Sequence, residues 1–264
     1  MSDQRRVTLI TGASGGIGAD LARVFARHGC DLALVARSAA RLAALADEIA
    51  ASGRPKPLVF VCDLSRPGAG AELVQAVAAQ GACVETLINN AAFGLVGPAG
   101  ELSAGEQVEM TDLNIRTLTE LSLLFLPDLR ATRGRILNVA SVAAFLPGPG
   151  MAVYYATKAY VVSLSEALAA ELKIEGIVVS VLCPGVTHTG FQARAGVDAA
   201  LVNKSPGMTA MAVAEAGYAG LMAGRRRIVP GFTNKVLVAL LPLVPNALLL
   251  PLTARLLMRR LARK

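Results

Sequence analysis

The feature that most constrains the fold is a glycine-rich turn near the start of the chain. An apolar run at residues 7–11 leads into Thr11-Gly12-Ala13-Ser14-Gly15-Gly16-Ile17-Gly18, and a helical pattern follows at once. In a strand, glycine turn and helix of this kind, backbone amides and the helix N-terminus bind a pyrophosphate group. The spacing is GxxxGxG, which differs from the GxGxxG of the general dinucleotide fingerprint. The turn predicts an α/β fold with a dinucleotide site that includes Gly12, Ser14, Gly16, Ile17 and Gly18.

The rest of the chain alternates short apolar runs with longer helical stretches. Strands are expected at residues 7–11, 31–36, 58–62, 86–89, 135–140, 177–182 and 227–229. Helices are expected at residues 16–28, 39–51, 69–79, 103–130, 152–173 and 209–222. Most strand runs are apolar at consecutive positions, which is typical of a parallel sheet covered by helices on both faces. We predict a doubly wound Rossmann fold with a seven-stranded parallel sheet, as a single domain at residues 1–231.

The residues after the second strand indicate which dinucleotide is bound. NAD-preferring domains place an acidic residue here to hydrogen-bond the ribose 2′-hydroxyl, but this chain has Ala36-Arg37-Ser38, with Arg41 a turn later. A guanidinium can pair with a 2′-phosphate through charge-assisted hydrogen bonds. We therefore predict NADP in preference to NAD, with Arg37 and Ser38 at the phosphate and Ser14 assisting. The alternative is that Arg37 is an ordinary solvated arginine.

Further motifs occur in a fixed order along the chain. They are TGxxxGxG at residues 11–18, Asp63 after the third strand, Asn89-Asn90-Ala91-Ala92 after the fourth, Asn114 in a helix, Ser141 at the end of the fifth strand, Tyr154-x-x-x-Lys158 in the next helix, and Pro184-Gly185 after the sixth strand. Together they resemble the short-chain dehydrogenase/reductase family over roughly residues 5–230. Ala92 replaces the glycine of the family's NNAG, which concerns the backbone approach near the adenine rather than the catalytic step.

A tyrosine and a lysine one helical turn apart suit proton transfer. Tyrosine, with a reference pKa of about 10, is a poor base at neutral pH, and a nearby cation stabilises its phenolate. Lys158 lies on the same helix face as Tyr154, whereas Tyr155 is displaced around the helix and is expected to be packing or a pocket wall. Ser141 is placed at the ligand-binding edge of the sheet, where its hydroxyl can hold the substrate oxygen.

The resemblance adds roles that the residues alone do not give. It implies that Lys158 also binds the nicotinamide ribose, and that Asn114 holds a water connecting Lys158 to solvent. It further implies cofactor contacts from Asp63, Leu64, Asn90, Ala91, Tyr154, Lys158, Pro184, Gly185, Thr187 and Thr189. His188 lies in the long connection at residues 185–207 and either faces substrate or is solvated, whereas His28 is expected to be structural at a helix C-terminus. Four scattered cysteines without a CxxC pair predict neither a disulfide nor a metal site.

The last 33 residues, 232–264, form an apolar and basic extension. No acidic residue follows Glu215, whereas nine of the 26 lysines and arginines do, so the basic charge belongs to the tail and nucleic acid is not an expected partner. Residues 236–254 are uncharged, but three prolines disfavour a straight transmembrane helix. A stripe of leucines flanked by arginines favours a helix at an anionic membrane surface. The leucines are Leu252, Leu256, Leu257 and Leu261, and the arginines are Arg255, Arg259, Arg260 and Arg263. The alternative is packing over the substrate pocket or against another subunit.

These patterns predict an NADP(H)-dependent oxidoreductase that interconverts a carbonyl and a secondary alcohol. Few charges in residues 185–207, together with the apolar tail, favour a hydrophobic substrate such as a 3-oxoacyl group, a steroid-like ketone or an aliphatic ketone or aldehyde. Alternatives are an NADP-dependent epimerase or dehydratase, or an NADP-binding, membrane-docked sensor without turnover. A short polar N-terminus predicts a cytoplasmic location, which would be peripheral at the inner face of a membrane where the extension binds one, and we expect a homo-oligomer.

Overall fold

Seven strands form one parallel sheet in the computed structural model, which describes residues 4–191, 195 and 207–261, with residues 246 and 256–261 as backbone only. The strands of the described residues are β1 (Arg5–Thr11), β2 (Leu32–Ala36), β3 (Leu58–Val61), β4 (Ala82–Asn89), β5 (Arg135–Val139), β6 (Val178–Leu182), β7 (Thr187–His188), β8 (Met208–Thr209) and β9 (Arg227–Ile228), of which β7 and β8 form a separate pair. The main sheet has the order β3-β2-β1-β4-β5-β6-β9, which confirms the doubly wound prediction. Strand order reverses between β1 and β4, and ligands bind outside the carboxyl ends of the strands at such a point.

Helices cover both faces of the sheet. They are α1 (Gly16–Arg27), α2 (Ala39–Ala51), α3 (Ala69–Ala79), α4 (Ala104–Thr111), α5 (Leu118–Leu124), α6 (Leu126–Thr132), α7 (Ala152–Glu171), α8 (Ala210–Met222), α9 (Phe232–Leu240) and α10 (Asn246–Leu261). One core joins α1 and α8 to the sheet through Phe25 and Val213, and the other joins α3, α5 and α7 through Leu121 and Leu168. Each fully buried large side chain contributes about 1.5–3 kcal/mol of hydrophobic free energy, so these two layers hold the strand ends in place.

The single helix predicted at residues 103–130 is wrong, because the structure divides it. Ser103 caps α4 by accepting a hydrogen bond from the Glu106 amide, a π-helical turn spans Asp112–Thr117, and α5 ends at Leu124. Pro127 lies in the first turn of α6, where its missing N–H is tolerated, but it could not continue an unbroken helix from α5.

The long connection after β6 contains secondary structure that the sequence pattern did not predict. β7 and β8 pair in parallel as a separate two-stranded sheet, with Thr187 opposite Met208 and His188 opposite Thr209. Strands of two residues are too short to give an alternating pattern, so this ribbon had no sequence signal. Residues 192–194 and 196–206 of the predicted loop lie outside the described part of the chain.

The extension forms two helices separated by a short 3₁₀ turn, Leu241–Leu243. Pro242 lies in that turn and Pro245 precedes α10, so these two prolines interrupt the apolar run as predicted, while Pro251 lies inside α10. Within the described residues, no helix is long and apolar enough to span a membrane. The predicted leucine–arginine stripe depends on side chains that lie outside the described part of the chain. They are those of Leu256, Leu257, Arg259, Arg260, Leu261 and Arg263.

Candidate active site

The glycine turn lies at the carboxyl end of β1 and borders a large cleft. Gly12 and Gly16 have φ angles of +67° and +56°, which L side chains rarely adopt. A Cβ on Gly18 would lie 2.4 Å from the Gly12 carbonyl oxygen, so glycine there allows α1 to approach the turn. Gly18 does not line the cleft. Gly15 does line it, and a Cβ on Gly15 would have no heavy atom within 4 Å, so this position is open to the cleft. The turn thus presents bare backbone at a helix N-terminus, which fits a pyrophosphate group.

Thr11 ties this turn to the end of β4. Its hydroxyl accepts hydrogen bonds from the backbone amides of Asn90, at 2.9 Å, and Ala91, at 3.0 Å, and donates to the Ile88 carbonyl. The Asn90 side-chain amide donates back to the Thr11 carbonyl at 2.9 Å. These bonds fix β1 and β4 relative to each other at the place where the strand order reverses. Thr11 is therefore a positioning residue; it belongs to the TGxxxGxG motif, but the motif does not indicate this role.

Positive charge lies at the end of β2, beside an acidic residue that follows β3. Arg37, Ser38 and Arg41 all border the cleft, and the Arg37 guanidinium is 4.0 Å from the Asp63 carboxylate. Burial acts to raise the pKa of Asp63, but hydrogen bonds from Ser65 and the charge of Arg37 outweigh it and lower that pKa. Asp63 is therefore ionised at neutral pH and holds the half-exposed Arg37 loosely, which leaves guanidinium donors for an anionic ligand.

Three side chains meet at the carboxyl edge of β5. Tyr154 and Ser141 both line the cleft, and Ser141 lies near enough to the Tyr154 hydroxyl to lower its pKa. Ser141 begins the 3₁₀ turn Val142–Phe145, and its Oγ accepts a hydrogen bond from the Ala143 amide at 3.1 Å. The Lys158 ammonium donates to the Val139 carbonyl at 2.9 Å and lies 5.8 Å from the centroid of the Tyr154 ring. The predicted Ser, Tyr and Lys therefore share one site.

Burial shifts the pKa values of the tyrosine and the lysine in opposite directions. It raises the pKa of Tyr154 to about 12, against a smaller lowering by the Ser141 hydroxyl. It lowers the pKa of Lys158 to about 8. Both shifts favour the neutral form, as expected for groups removed from water. Tyr154 is thus a protonated donor at neutral pH, next to a lysine whose charge is sensitive to pH in the physiological range.

Asn114 supports the site from behind. Its side-chain amide donates to the Phe93 carbonyl at 2.9 Å and to the Thr157 hydroxyl at 3.1 Å, and its Oδ1 accepts from the Phe93 amide at 3.2 Å. Thr157 in turn donates to the Tyr154 carbonyl. Asn114 lies in the π-helical turn and is buried, so the sequence-predicted residue contacts the helix of Tyr154 and the segment after β4, and does not line the cleft.

The far end of the cleft is apolar. It is lined there by Ala143, Leu146, Met151, Val186, Phe191 and Leu237. The Phe191 ring packs on Tyr154 with centroids 5.4 Å apart, and Tyr155 also borders the cleft. The cleft volume is about 1180 Å³, which exceeds the roughly 300–1,000 Å³ of an ordinary single-ligand pocket, so a dinucleotide and a second molecule can share it.

Most of the sequence-predicted residues line this one cleft. They are Gly12, Ser14, Gly16, Ile17, Arg37, Ser38, Asp63, Leu64, Asn90, Ala91, Ser141, Tyr154, Lys158, Pro184, Gly185, Thr187 and Thr189. Thr189 approaches the turn closely enough that a Cβ on Gly16 would lie 3.1 Å from its Cβ. His188 is exposed and outside the cleft lining, and His28 stacks on Tyr218 with ring centroids 4.0 Å apart. Sequence reasoning missed Phe191 and Leu237, whose apolar side chains carry no motif.

Comparison with known proteins identifies the family. The family profile described as short chain dehydrogenase matches residues 6–199. Oxidoreductase UcpA of Escherichia coli strain K12 is 34% identical over 186 residues, 70% of each chain. A short-chain dehydrogenase from Sphingobium yanoikuyae in complex with NADPH is 36% identical, with a TM-score of 0.79 over 86% of this chain and 88% of that one. A short chain dehydrogenase/reductase from Burkholderia phymatum in complex with NAD is 27% identical, with a TM-score of 0.80 over 91% and 94%.

The chain therefore belongs to the short-chain dehydrogenase/reductase family and is an oxidoreductase. The family and the glycine cradle together define a nicotinamide dinucleotide as its cofactor.

Proposed function

We propose that this protein is an NADP(H)-dependent oxidoreductase that interconverts a carbonyl and a secondary alcohol on a hydrophobic substrate. The observation that carries the proposal is that Ser141, Tyr154 and Lys158 line one cleft, with the Lys158 ammonium 5.8 Å from the centroid of the Tyr154 ring. A hydroxyl that is protonated at neutral pH, beside a second hydroxyl at the ligand-binding edge of the sheet, suits proton delivery to a carbonyl oxygen.

Each residue of this set has a separate task. Tyr154 donates its proton to the substrate oxygen during reduction and accepts it during oxidation, while Ser141 holds that oxygen beside it. Lys158 stabilises the phenolate that forms on Tyr154. The chemistry that the dinucleotide supplies when bound is hydride transfer at its nicotinamide ring.

In this proposal, Asn114 binds the water through which Lys158 exchanges protons with solvent. Because both ends of its side-chain amide are engaged with Phe93 and Thr157, the water that links Lys158 to solvent is assigned to the Asn114 backbone carbonyl. The π-helical turn around Asn114 supports this assignment, since such turns disturb the regular hydrogen bonding of a helix and are frequent at functional sites.

Arg37, Ser38 and Arg41 support NADP over NAD. Together they border the end of the cleft where a ribose 2′-phosphate is expected, and Arg37 is only loosely held by Asp63 at 4.0 Å. A lost charge-assisted hydrogen bond is worth about 1.5–3 kcal/mol, so Arg37→Ala is expected to lower kcat/KM for NADPH by about 10- to 100-fold and to leave NADH use little changed.

Arg54→Ala is the matched control, because Arg54 is exposed, donates to the Arg27 carbonyl and does not border the cleft. Equal efficiency of the wild-type protein with NADPH and NADH, or a preference for NADH, would refute the NADP proposal.

The apolar end of the cleft supports a hydrophobic substrate. The charged residues that border the cleft are Arg37, Arg41, Asp63, Glu109 and Lys158. Arg37, Arg41 and Asp63 follow β2 and β3 at the expected dinucleotide end, and Lys158 belongs to the proposed catalytic set. Among the described lining residues, this leaves the Glu109 carboxylate as the charged group that could face the substrate. Among the described lining residues, a substrate that is itself anionic would meet no further cation at this end. We expect 3-oxoacyl thioesters or apolar ketones and aldehydes to be reduced faster than short anionic aldehydes.

Net cofactor consumption separates this function from its alternatives. A reductase consumes NADPH in stoichiometric amounts with its ketone, an epimerase does not, and a sensor only binds. Steady loss of NADPH absorbance with each productive ketone is the expected result, and ligand-dependent binding without any loss would favour the sensor.

We also propose that the chain forms a homo-oligomer through α4, α5 and α7. Exposed apolar residues on these helices support such a surface: Val108, Leu123, Leu124 and Tyr160. Leu123→Glu is expected to lower the mass measured by light scattering, whereas Ile174→Glu, on an exposed turn, is expected to leave it unchanged. A monomeric wild-type protein would refute this proposal.

The extension is proposed to contact an anionic membrane surface, which places the protein at the inner face of a membrane. Its support is the pairing of exposed apolar side chains, such as Phe232 at 82% and Leu243 at 76% exposure, with a segment that has no acidic residue. Phe232→Glu is expected to abolish sedimentation with vesicles that contain phosphatidylglycerol. A wild-type protein that does not sediment with these vesicles would refute membrane contact, and equal sedimentation of both proteins would refute the role of Phe232 in it.

A further inference from the structure

Helix α9 belongs to the extension and also borders the catalytic cleft. Leu237 lines the cleft, although 44% of its surface is exposed. The helix is anchored to the body by buried Val238, and the 3₁₀ turn that follows it is anchored by buried Leu241. Asn234, one turn before Val238, lies against Gly185 so closely that a Cβ there would be 2.6 Å from the Asn234 side chain. The helix is therefore a fixed wall of the cleft.

The other side of α9 is an exposed apolar stripe. Phe232, Val236 and Leu240 follow one another at four-residue spacing and are all exposed, so they lie on one face of the helix. Leu237 lies one residue from Val236 and three from Leu240, at the edge of that stripe. Leu237 thus has one part of its surface in the cleft and another beside the side chains proposed to contact the membrane.

Apolar side chains continue from Leu237 into the catalytic site. α9 packs against the 3₁₀ turn Val142–Phe145, which begins at Ser141. Ala143 of that turn, Val186 and Met151 border the same part of the cleft. Among the described residues that border the cleft on these elements, an apolar molecule that leaves the stripe at Leu237 would therefore meet the apolar side chains of Ala143, Met151 and Val186 before it reaches Ser141.

We propose that α9 is the entrance wall for substrate and that the enzyme takes a lipid-dissolved ketone directly from an anionic phospholipid bilayer. This inference rests on the proposed reductase function and on the proposed membrane contact, and it names the phase from which the substrate comes. Charge complementarity fixes the occupant of the stripe, because the segment after Glu215 carries only positive charges. A second copy of the chain, with the same basic segment, would bring like charges together.

The test compares one enzyme on two forms of substrate. A long-chain ketone is dissolved in vesicles of phosphatidylcholine and phosphatidylglycerol, and a short water-soluble ketone is offered separately. Leu240→Glu changes an exposed residue of the stripe that does not line the cleft. We expect it to lower kcat/KM for the vesicle-held ketone by about tenfold or more and to change kcat/KM for the soluble ketone by less than about twofold.

Ile174→Glu is the matched control. Ile174 is 95% exposed, lies in the 3₁₀ turn Leu172–Glu175 before β6, and is far from the carboxyl edge of the sheet. It is expected to change neither rate. Equal loss on both substrates in Leu240→Glu, or no loss on the vesicle-held ketone, would overturn the inference.

A second measurement does not depend on turnover. A long-chain ketone that carries a photoreactive diazirine is dissolved in the same vesicles and irradiated with the NADPH-loaded protein. Crosslinks to α9 and to the cleft, lost in Leu240→Glu, are expected. Crosslinks without any turnover would support the access route and refute the reductase, whereas turnover without crosslinks to α9 would refute the access route alone.

Discussion

Lys158, to which we assign a catalytic role, is expected to destabilise the folded protein, and Lys158→Met tests this. Lys158 is 3% exposed, and burial lowers its pKa from 10.5 to about 8. A tenfold change in an ionisation equilibrium corresponds to about 1.4 kcal/mol, so holding this ammonium in the folded core costs about 3 kcal/mol. Methionine keeps an unbranched apolar side chain and removes the charge, but it leaves the Val139 carbonyl without this donor, which costs about 1 kcal/mol.

The sign of this effect depends on pH. A lysine whose folded pKa is lowered carries its full penalty below about pH 8, where both folded and unfolded chains are protonated. Between pH 8 and 10.5 the folded protein loses the proton first, and the penalty disappears. Lys158→Met is therefore expected to raise the free energy of unfolding by about 2 kcal/mol at pH 7, with the advantage shrinking as the pH approaches 10.

Urea unfolding followed by circular dichroism at pH 7 and pH 10 measures this difference. Lys173→Met is the control, because Lys173 is exposed and its replacement is expected to change stability little at either pH. A Lys158→Met protein that is less stable than wild type at pH 7, or a stability difference that does not shrink between pH 7 and pH 10, would contradict the reasoning.

Three further outcomes follow from the site geometry. Gly18→Ala puts a Cβ 2.4 Å from the Gly12 carbonyl oxygen, so we expect about 1–3 kcal/mol of lost stability and weaker dinucleotide binding, measured by urea unfolding and cofactor titration; unchanged values would contradict this. Gly94→Ala puts a Cβ 2.8 Å from the Phe191 ring and 3.1 Å from the Tyr154 ring. Because this displaces Tyr154, kcat is expected to fall by about tenfold or more with little change in the unfolding midpoint. A wild-type kcat would show that the position of Tyr154 does not depend on this contact. Because burial raises the pKa of Tyr154 to about 12, alcohol oxidation, which needs the phenolate, is expected to accelerate from pH 7 to pH 10 in a pH–rate series, and a rate that falls over this range would argue against Tyr154 as the base.

Much of the fold was predictable because its signals are local. Consecutive apolar residues in β2 and a glycine turn between β1 and α1 indicate buried parallel strands and a Rossmann unit without any knowledge of long-range contacts. The break near Phe125 was missed because the apolar periodicity continues across it, although Pro127 carried a usable signal.

Parts of the site were not predictable because they depend on tertiary packing. The role of Thr11 depends on the register between β1 and β4, and Leu237 reaches the cleft only because α9 packs against the 3₁₀ turn after Ser141. Asn114 could be named by resemblance, but its contacts with Phe93 and Thr157 could not. A motif identifies residue types, whereas the partners of those residues come from distant parts of the chain.

The central claim is that Tyr154 exchanges the proton in an NADPH-dependent carbonyl reduction, and one measurement tests it directly. NADPH consumption by the wild-type protein and by Tyr154→Phe is followed against a panel of apolar ketones, aldehydes and 3-oxoacyl thioesters, with NADPH binding measured in parallel. We predict stoichiometric turnover in wild type, and in Tyr154→Phe a loss of about 100-fold or more with NADPH affinity retained. Turnover by Tyr154→Phe at the wild-type rate, or NADPH binding by the wild-type protein without turnover of any compound, would contradict the account.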